Sequence, residues 1–208
     1  MAHKVVVTGL GIVTPIGIGL SQFWKAALEG HSGISKLQAF QSPSPESYRS
    51  QIAGQISNFN PEEYMDDKLI TRVDRYAQLG LVATKEALTD AKIEMNQETA
   101  ERVGVMVGAG MGGMITVERE LYQLYNTMKP NRVHPNFIPS LTLNSASGII
   151  ALAFGAKGPN ITVSTACSSS IHAIGQGLEA IKKGKADVII AVGAEASITP
   201  LSFAGFCS

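Results

Sequence analysis

Three stretches of this chain are apolar without alternation: residues 5–8, 103–107 and 187–192. A strand with one wet face alternates apolar and polar residues, whereas a strand covered on both faces does not. The three are therefore predicted as buried strands lying between layers of helix. Ile161–Thr165 alternates more and is predicted as a fourth strand. A fifth, exposed strand is predicted over residues 51–57, where Ile52, Gly54 and Ile56 interleave with Gln51, Ala53 and Gln55. Helical spacing marks five further segments. The first, residues 21–29, is closed by Gly30. Residues 71–91 place Val73, Ala77, Leu81, Ala87 and Leu88 on one side and Arg72, Asp74, Arg75, Lys85 and Glu86 on the other. Residues 114–126 end before Lys129-Pro130. Residues 141–153 are apolar nearly all round and are predicted as a buried helix. Residues 168–183 carry Ile171, Ile174, Leu178 and Ile181 on one stripe, with Gly184 as the stop. Strands alternating with helices predict a layered α/β fold. Residues 40–48 and 129–139, rich in proline, are predicted as surface loops.

Composition narrows the choice of partners. Seventeen Lys and Arg balance 17 Asp and Glu, so no net positive charge is on offer to a nucleic-acid backbone. Charged residues are 16% of the chain against about 25% in an ordinary globular protein. With 45% hydrophobic residues over 208 positions, one well-buried core is expected and disorder is excluded. No apolar run is long enough to span a membrane. The apolar start at Val5 is too short for a signal segment. Two cysteines, Cys167 and Cys207, make no disulfide framework, and a reducing cytoplasmic compartment is expected. Residues 198–208 remain apolar to the end, as if the chain stopped in mid-fold.

Two glycine motifs invite a nucleotide reading. Gly9-Leu10-Gly11-Ile12-Val13-Thr14 lacks the third glycine. Gly108-Ala109-Gly110-Met111-Gly112-Gly113 satisfies G-x-G-x-x-G between a strand and a helix, but no strand ending in an acidic residue follows it. Close backbone packing around a pocket is the competing explanation. No Walker loop is present, and His3, His31, His134 and His172 have no metal-binding spacing. The sharper signal is Thr162-Val163-Ser164-Thr165-Ala166-Cys167-Ser168-Ser169-Ser170, a strand, a tight turn and a helix start with cysteine at the bend. Unpaired amides and the helix dipole at that point favour a thiolate and offer oxyanion donors. Cys167 is thus either an activated nucleophile or a buried, inert thiol. His172 lies about 140° round the helix from it and is expected to be an ordinary helix residue. Met106, Met111 and Met114 suit pocket lining or core equally.

These segments together resemble the condensing enzymes of fatty-acid synthesis, the β-ketoacyl-acyl-carrier-protein synthase II family. The resemblance rests on Val5-Val6-Val7-Thr8-Gly9-Leu10-Gly11, the 108–113 turn, Gly158-Pro159, the Ser164–Ser170 run, Ala191-Val192-Gly193-Ala194-Glu195 and Thr199-Pro200-Leu201. The Thr-Ala-Cys-Ser-Ser-Ser form is also similar to that of polyketide ketosynthases. The resemblance implies a thiolase-like α-β-α-β-α fold of which this chain is the first half, residues 1–208, with the second half elsewhere. It implies that Cys167 takes an acyl group from acyl carrier protein and condenses it with malonyl carrier protein, losing carbon dioxide. Two histidines and a lysine of the second half assist, and no other cofactor or metal is implied. Met111 and Ala166 correspond to acyl-binding positions, and Phe137 to a residue reaching the neighbouring subunit's pocket. The strand Ile161–Thr165 corresponds to one pairing across a homodimer axis. Two alternatives stand beside this reading: a polyketide-type ketosynthase and a non-catalytic ketosynthase-like subunit. A weaker one is a nicotinamide-dependent enzyme built on Gly108–Gly113.

Overall fold

The computed structural model describes residues 4–41 and 45–208. At its centre is a three-stranded parallel sheet, with Val103–Gly108 between Asn160–Val163 and Val188–Gly193. These are three of the predicted strands, with ends shifted by a residue or two. Every residue of Val103–Gly108 is buried, as its lack of alternation requires. It pairs along its whole length with Val188–Gly193, from Val103 opposite Val188 to Gly108 opposite Gly193. At the amino ends, Arg102 grips Asp187 through two hydrogen bonds of 3.0 and 2.6 Å.

Side chains alternate across a strand, and here each face has its own cover. Val103, Val105 and Val107, with Ile190 and Val192, pack on Tyr76, Ala77 and Leu81 of helix Arg75–Ala91 and on Ala146 and Ile150 of helix Ser145–Phe154. Met106 and Ile189 point the other way, onto Ala173 and Ala180 of helix Ser169–Lys182. The result is one α-β-α sandwich.

The helix predicted over 71–91 starts only at Arg75, after a separate short helix, Asp67–Ile70. Asp74 takes the N-cap, its carboxylate accepting from the Tyr76 amide at 3.3 Å and from the Thr116 amide at 2.8 Å. The helix predicted over 141–153 divides into Phe137–Leu141 and Ser145–Phe154. Tyr76 holds the break: its hydroxyl donates to the Thr142 carbonyl at 2.7 Å and accepts from the Ala146 amide at 3.3 Å. The first piece lies partly in what was predicted as loop, because Pro139 sits in its first turn, where proline is tolerated. Nor is the second piece buried all round. Ala146, Ser147 and Ile150 face inward, but Leu152 on the outer side is 78% exposed.

Helix Ser169–Lys182 departs furthest from an ordinary amphipathic helix. Its buried residues are the small ones, Ser169, Ala173, Gly177 and Ala180. Ile171, Ile174 and Leu178 face away from the sheet and are exposed. Small residues let the helix backbone approach the strands closely: a Cβ on Gly177 would stand 2.9 Å from the Ile189 side chain.

The apolar run at 5–8 is not a strand, and Val6 and Val7 are exposed. Carboxylates on helix Arg75–Ala91 draw the segment to the helix instead of the sheet. Glu86 accepts from the amides of Ile12 at 2.7 Å and Leu20 at 2.5 Å, and Asp90 from that of Leu10 at 3.0 Å. Gly9 and Gly11 permit the approach, since a Cβ on either would collide with the backbone carbonyl of Ala87 or Ala83. A cavity of ≈ 190 Å³ is left between this segment and the outer edge of Val188–Gly193.

The remaining elements are peripheral. The predicted strand at 51–57 shortens to Ile52–Gly54 and pairs antiparallel with Ile34–Lys36, which periodicity did not reveal. Helices Leu20–Leu28 and Met114–Thr127 fall where predicted, and residues 200–207 add a helix, Pro200–Cys207. Of the predicted loop at 40–48, residues 42–44 lie outside the described residues.

Candidate active site at the carboxyl ends of the strands

In parallel α/β sheets, ligands bind beyond the carboxyl ends of the strands. All three strands here run into turns that meet at that edge. The Ala109 amide donates to the Val163 carbonyl at 3.2 Å, and the Ala194 amide to the Gly108 carbonyl at 3.1 Å. A Cβ built on Gly110 would lie 3.9 Å from the Ala166 carbonyl, so the glycine turn abuts the turn that leads into Cys167. Gly108 itself lies under the start of helix Ser169–Lys182, where a Cβ would strike the Ser169 and Ser170 backbone.

The turn before Cys167 is strained. Ala166 has φ +52°, a left-handed conformation that costs a non-glycine residue about 1–3 kcal/mol. A web of hydroxyls holds it there. Ser168 Oγ donates to the Thr165 carbonyl at 2.8 Å, Ser169 Oγ donates to the Ala166 carbonyl at 2.6 Å, and the Thr165 amide donates to Ser169 Oγ at 2.9 Å. Thr165 Oγ1 and His172 Nδ1 share a further hydrogen bond of 2.6 Å. His172 is therefore more than an ordinary helix residue, because it ties the helix back to the turn. Spacing from the thiol alone could not reveal this, since its partner is Thr165.

Cys167 is exposed at the tip of this turn, while Cys207 is half-buried on the terminal helix. The helix begins two residues after Cys167, and no side chain caps it at Ser168. Cys167 thus directly precedes the positive end of that helix dipole, and the Ser168 and Ser169 amides donate to the Thr165 and Ala166 carbonyls at 3.3 and 3.1 Å. Met111 is exposed on the glycine turn. Phe137 is half-buried at the start of helix Phe137–Leu141, whose Leu141 carbonyl accepts from the Gly113 amide at 3.2 Å. The fold thus brings Ala166, Cys167 and the Met111 turn together, and places the Phe137 helix on the far side of that turn.

Glu195 was not singled out from the sequence. Its Oε2 accepts from the amides of Gly110 at 2.8 Å and Met111 at 3.0 Å. Those amides of the Gly-x-Gly-x-x-Gly motif would have to cradle a dinucleotide pyrophosphate, and a carboxylate of the chain itself occupies them. The nicotinamide reading is corrected on that ground. Nearby, Glu118 accepts from Thr199 Oγ1 and from the Leu201 amide at 3.2 Å, anchoring the terminal helix. Burial pushes the Tyr76 hydroxyl up to about 12, so it stays a proton donor to the Thr142 carbonyl. Among the described residues, no three His, Cys, Asp or Glu side chains converge as metal ligands.

A family model described as "Beta-ketoacyl synthase, N-terminal domain" matches residues 2–208. The chain belongs to the β-ketoacyl synthase family. Among curated β-ketoacyl synthases, it is 40% identical over 203 residues to 3-oxoacyl-[acyl-carrier-protein] synthase 2 of Staphylococcus aureus strain COL, covering 98% of this chain and 48% of that protein. The protein of the same description from Coxiella burnetii is 38% identical over 206 residues, covering 99% of this chain and 49% of that one. The chain therefore spans about half the length of these curated relatives. A solved ishigamide ketosynthase/chain length factor superposes with TM-score 0.87 at 24% identity, over 99% of this chain and 50% of that one. A β-ketoacyl synthase from Burkholderia phymatum STM815 gives TM-score 0.84 at 24% identity, over 99% of this chain and 50% of that one. The fold is thus the α/β, thiolase-like one expected of a β-ketoacyl synthase. No helix among the described residues is long and apolar enough to cross a membrane.

Proposed function

We propose that residues 1–208 are the nucleophile-bearing half of an acyl-thioester condensing enzyme of fatty-acid synthesis. The observation that carries this reading is the exposed Cys167 on a strained turn, beside an uncapped helix start at the carboxyl ends of three parallel strands. The Cys167 thiolate attacks the thioester carbonyl of an acyl carrier protein; a new C–S bond forms and the carrier thiol leaves with a proton. Malonyl carrier protein then loses carbon dioxide, its enolate forms a C–C bond to the acyl carbonyl, and the Cys167 thiolate departs. Met111 and Ala166 line the acyl site, and Phe137 reaches a neighbouring subunit. The site needs the second half for its decarboxylating histidines and lysine. The outward apolar stripe Ile171, Ile174 and Leu178 supports a further layer on that helix, completing α-β-α-β-α. Additional chain beside the open edge of Val188–Gly193 fits the same reading. The opposite edge, Asn160–Val163, with exposed Ile161, is the surface for pairing in a cytoplasmic homodimer. Fatty-acid rather than polyketide chemistry is favoured by the 40% identity to a 3-oxoacyl-[acyl-carrier-protein] synthase 2.

Two measurements test this reading. Iodoacetamide should label Cys167 well ahead of Cys207, and Cys167→Ala should abolish acyl-enzyme formation in the full-length enzyme. Equal labelling of both thiols, or acyl-enzyme in the Ala variant, sinks the assignment. Residues 1–208 alone should release no carbon dioxide from malonyl carrier protein, whereas the chain with its complementary half should.

A further inference from the structure

The link between Glu195 and the glycine turn has no part in the chemistry above. Two successive amides pointing the same way make an anion-binding site, and in this chain the anion is a built-in carboxylate. Glu195 follows the strand Val188–Gly193, whose Gly193 pairs with Gly108, so the tie joins the carboxyl ends of two neighbouring strands. Gly110 fits the arrangement closely: a Cβ there would stand 2.9 Å from the same Oε2. Hydrogen bonds to an ionised acceptor are roughly twice as strong as neutral ones. Met111, 37% exposed, is therefore carried on a turn whose own amide is held by Glu195.

We propose that Glu195 is a positioning residue for acyl-chain selection. By holding the Gly110 and Met111 amides, it sets how far the Met111 side chain reaches toward the space beside Ala166 and Cys167, and so the length of apolar acyl chain admitted. This rests on the proposed placement of Met111 in the acyl site.

The test compares kcat/KM of the full-length enzyme for octanoyl and palmitoyl carrier protein. Met111→Trp should shift that ratio at least tenfold. Glu195→Ala, which frees the turn, should move the ratio by fivefold or more, mainly through KM for the disfavoured chain. Glu195→Gln, which keeps a carbonyl acceptor, should restore the ratio to within about twofold of the parent enzyme. A Glu195→Ala ratio equal to the parent's, while Met111→Trp shifts it, overturns the role of Glu195 and leaves the pocket reading intact. An unchanged ratio in Met111→Trp overturns the pocket reading instead. If Glu195→Ala does not fold, amide exchange in the unmodified enzyme decides. The Gly110 and Met111 amides should exchange at least a hundredfold slower than an open loop, and exchange at the open-loop rate overturns the tie.

Discussion

Two glycine-bounded apolar runs meet opposite fates in this molecule. Val103–Gly108 is buried along its length between two paired neighbours, with a helical layer on each face. Residues 5–8 are also valine-rich, yet Val6 and Val7 are 62% and 78% exposed and no strand forms. Both runs end in glycines whose neighbouring amides are held by carboxylates: Glu195 at Gly110 and Met111, and Glu86 and Asp90 at Ile12 and Leu10. The difference lies in what stands beside each run. An apolar run becomes a buried strand only when other strands complete its hydrogen bonds, because unpaired backbone groups are costly to bury.

Four substitutions would break or sharpen this contrast. The largest effect is expected at Gly108→Ala, where the new methyl meets helix backbone that cannot step aside. Destabilisation of about 4 kcal/mol or more, or failure to fold, should appear in urea unfolding of the full-length protein. Val107→Ala removes the same atoms as Val7→Ala but from a site with no exposure, and should cost about 2–3 kcal/mol. Glu86→Gln keeps an acceptor but loses the charge that holds the Ile12 and Leu20 amides. A loss of about 1.5 kcal/mol is expected, with faster amide exchange at those two residues and none of the damage reaching Val105. Val7→Ala should change stability by less than about 0.5 kcal/mol in the 1–208 chain. Equal costs for Val7→Ala and Val107→Ala in that chain would remove the contrast altogether.

The sheet was legible in the sequence because its strands are short and bounded by glycine, two of them without alternation and the third, at Ile161, more alternating. The cysteine turn was legible because small residues crowd one bend between a strand and a helix. What escaped was set by long-range partners. Nothing local to residues 5–8 announces that Glu86 and Asp90, some eighty positions away, will claim the following amides. Helix Ser169–Lys182 shows a conspicuous apolar stripe, yet the face that meets the sheet is the one made of serine, alanine and glycine, which a hydrophobicity pattern passes over. Glu195 and His172 went unrecognised as ties for a related reason: each acts on a turn brought close by the fold, and neither forms a motif with its partner. The break at Asp74 follows a simple capping rule, but the apolar spacing running through Val73 concealed it.

The two-faced character of helix Ser169–Lys182 also bears on how freely its residues can be exchanged. On the narrow face, even one added carbon at Gly177 meets Ile189, so that side tolerates little in any setting. On the wide face, Ile171 and Ile174 are 69% and 55% exposed and lie outside the core that covers the sheet. Lysine or glutamate there should make the isolated piece more soluble while leaving its fold unchanged. In a protein carrying a second layer, those same polar replacements would be intolerable. On the proposed two-layer reading, the helix separates, residue by residue, the requirements of folding alone from the requirements of being assembled.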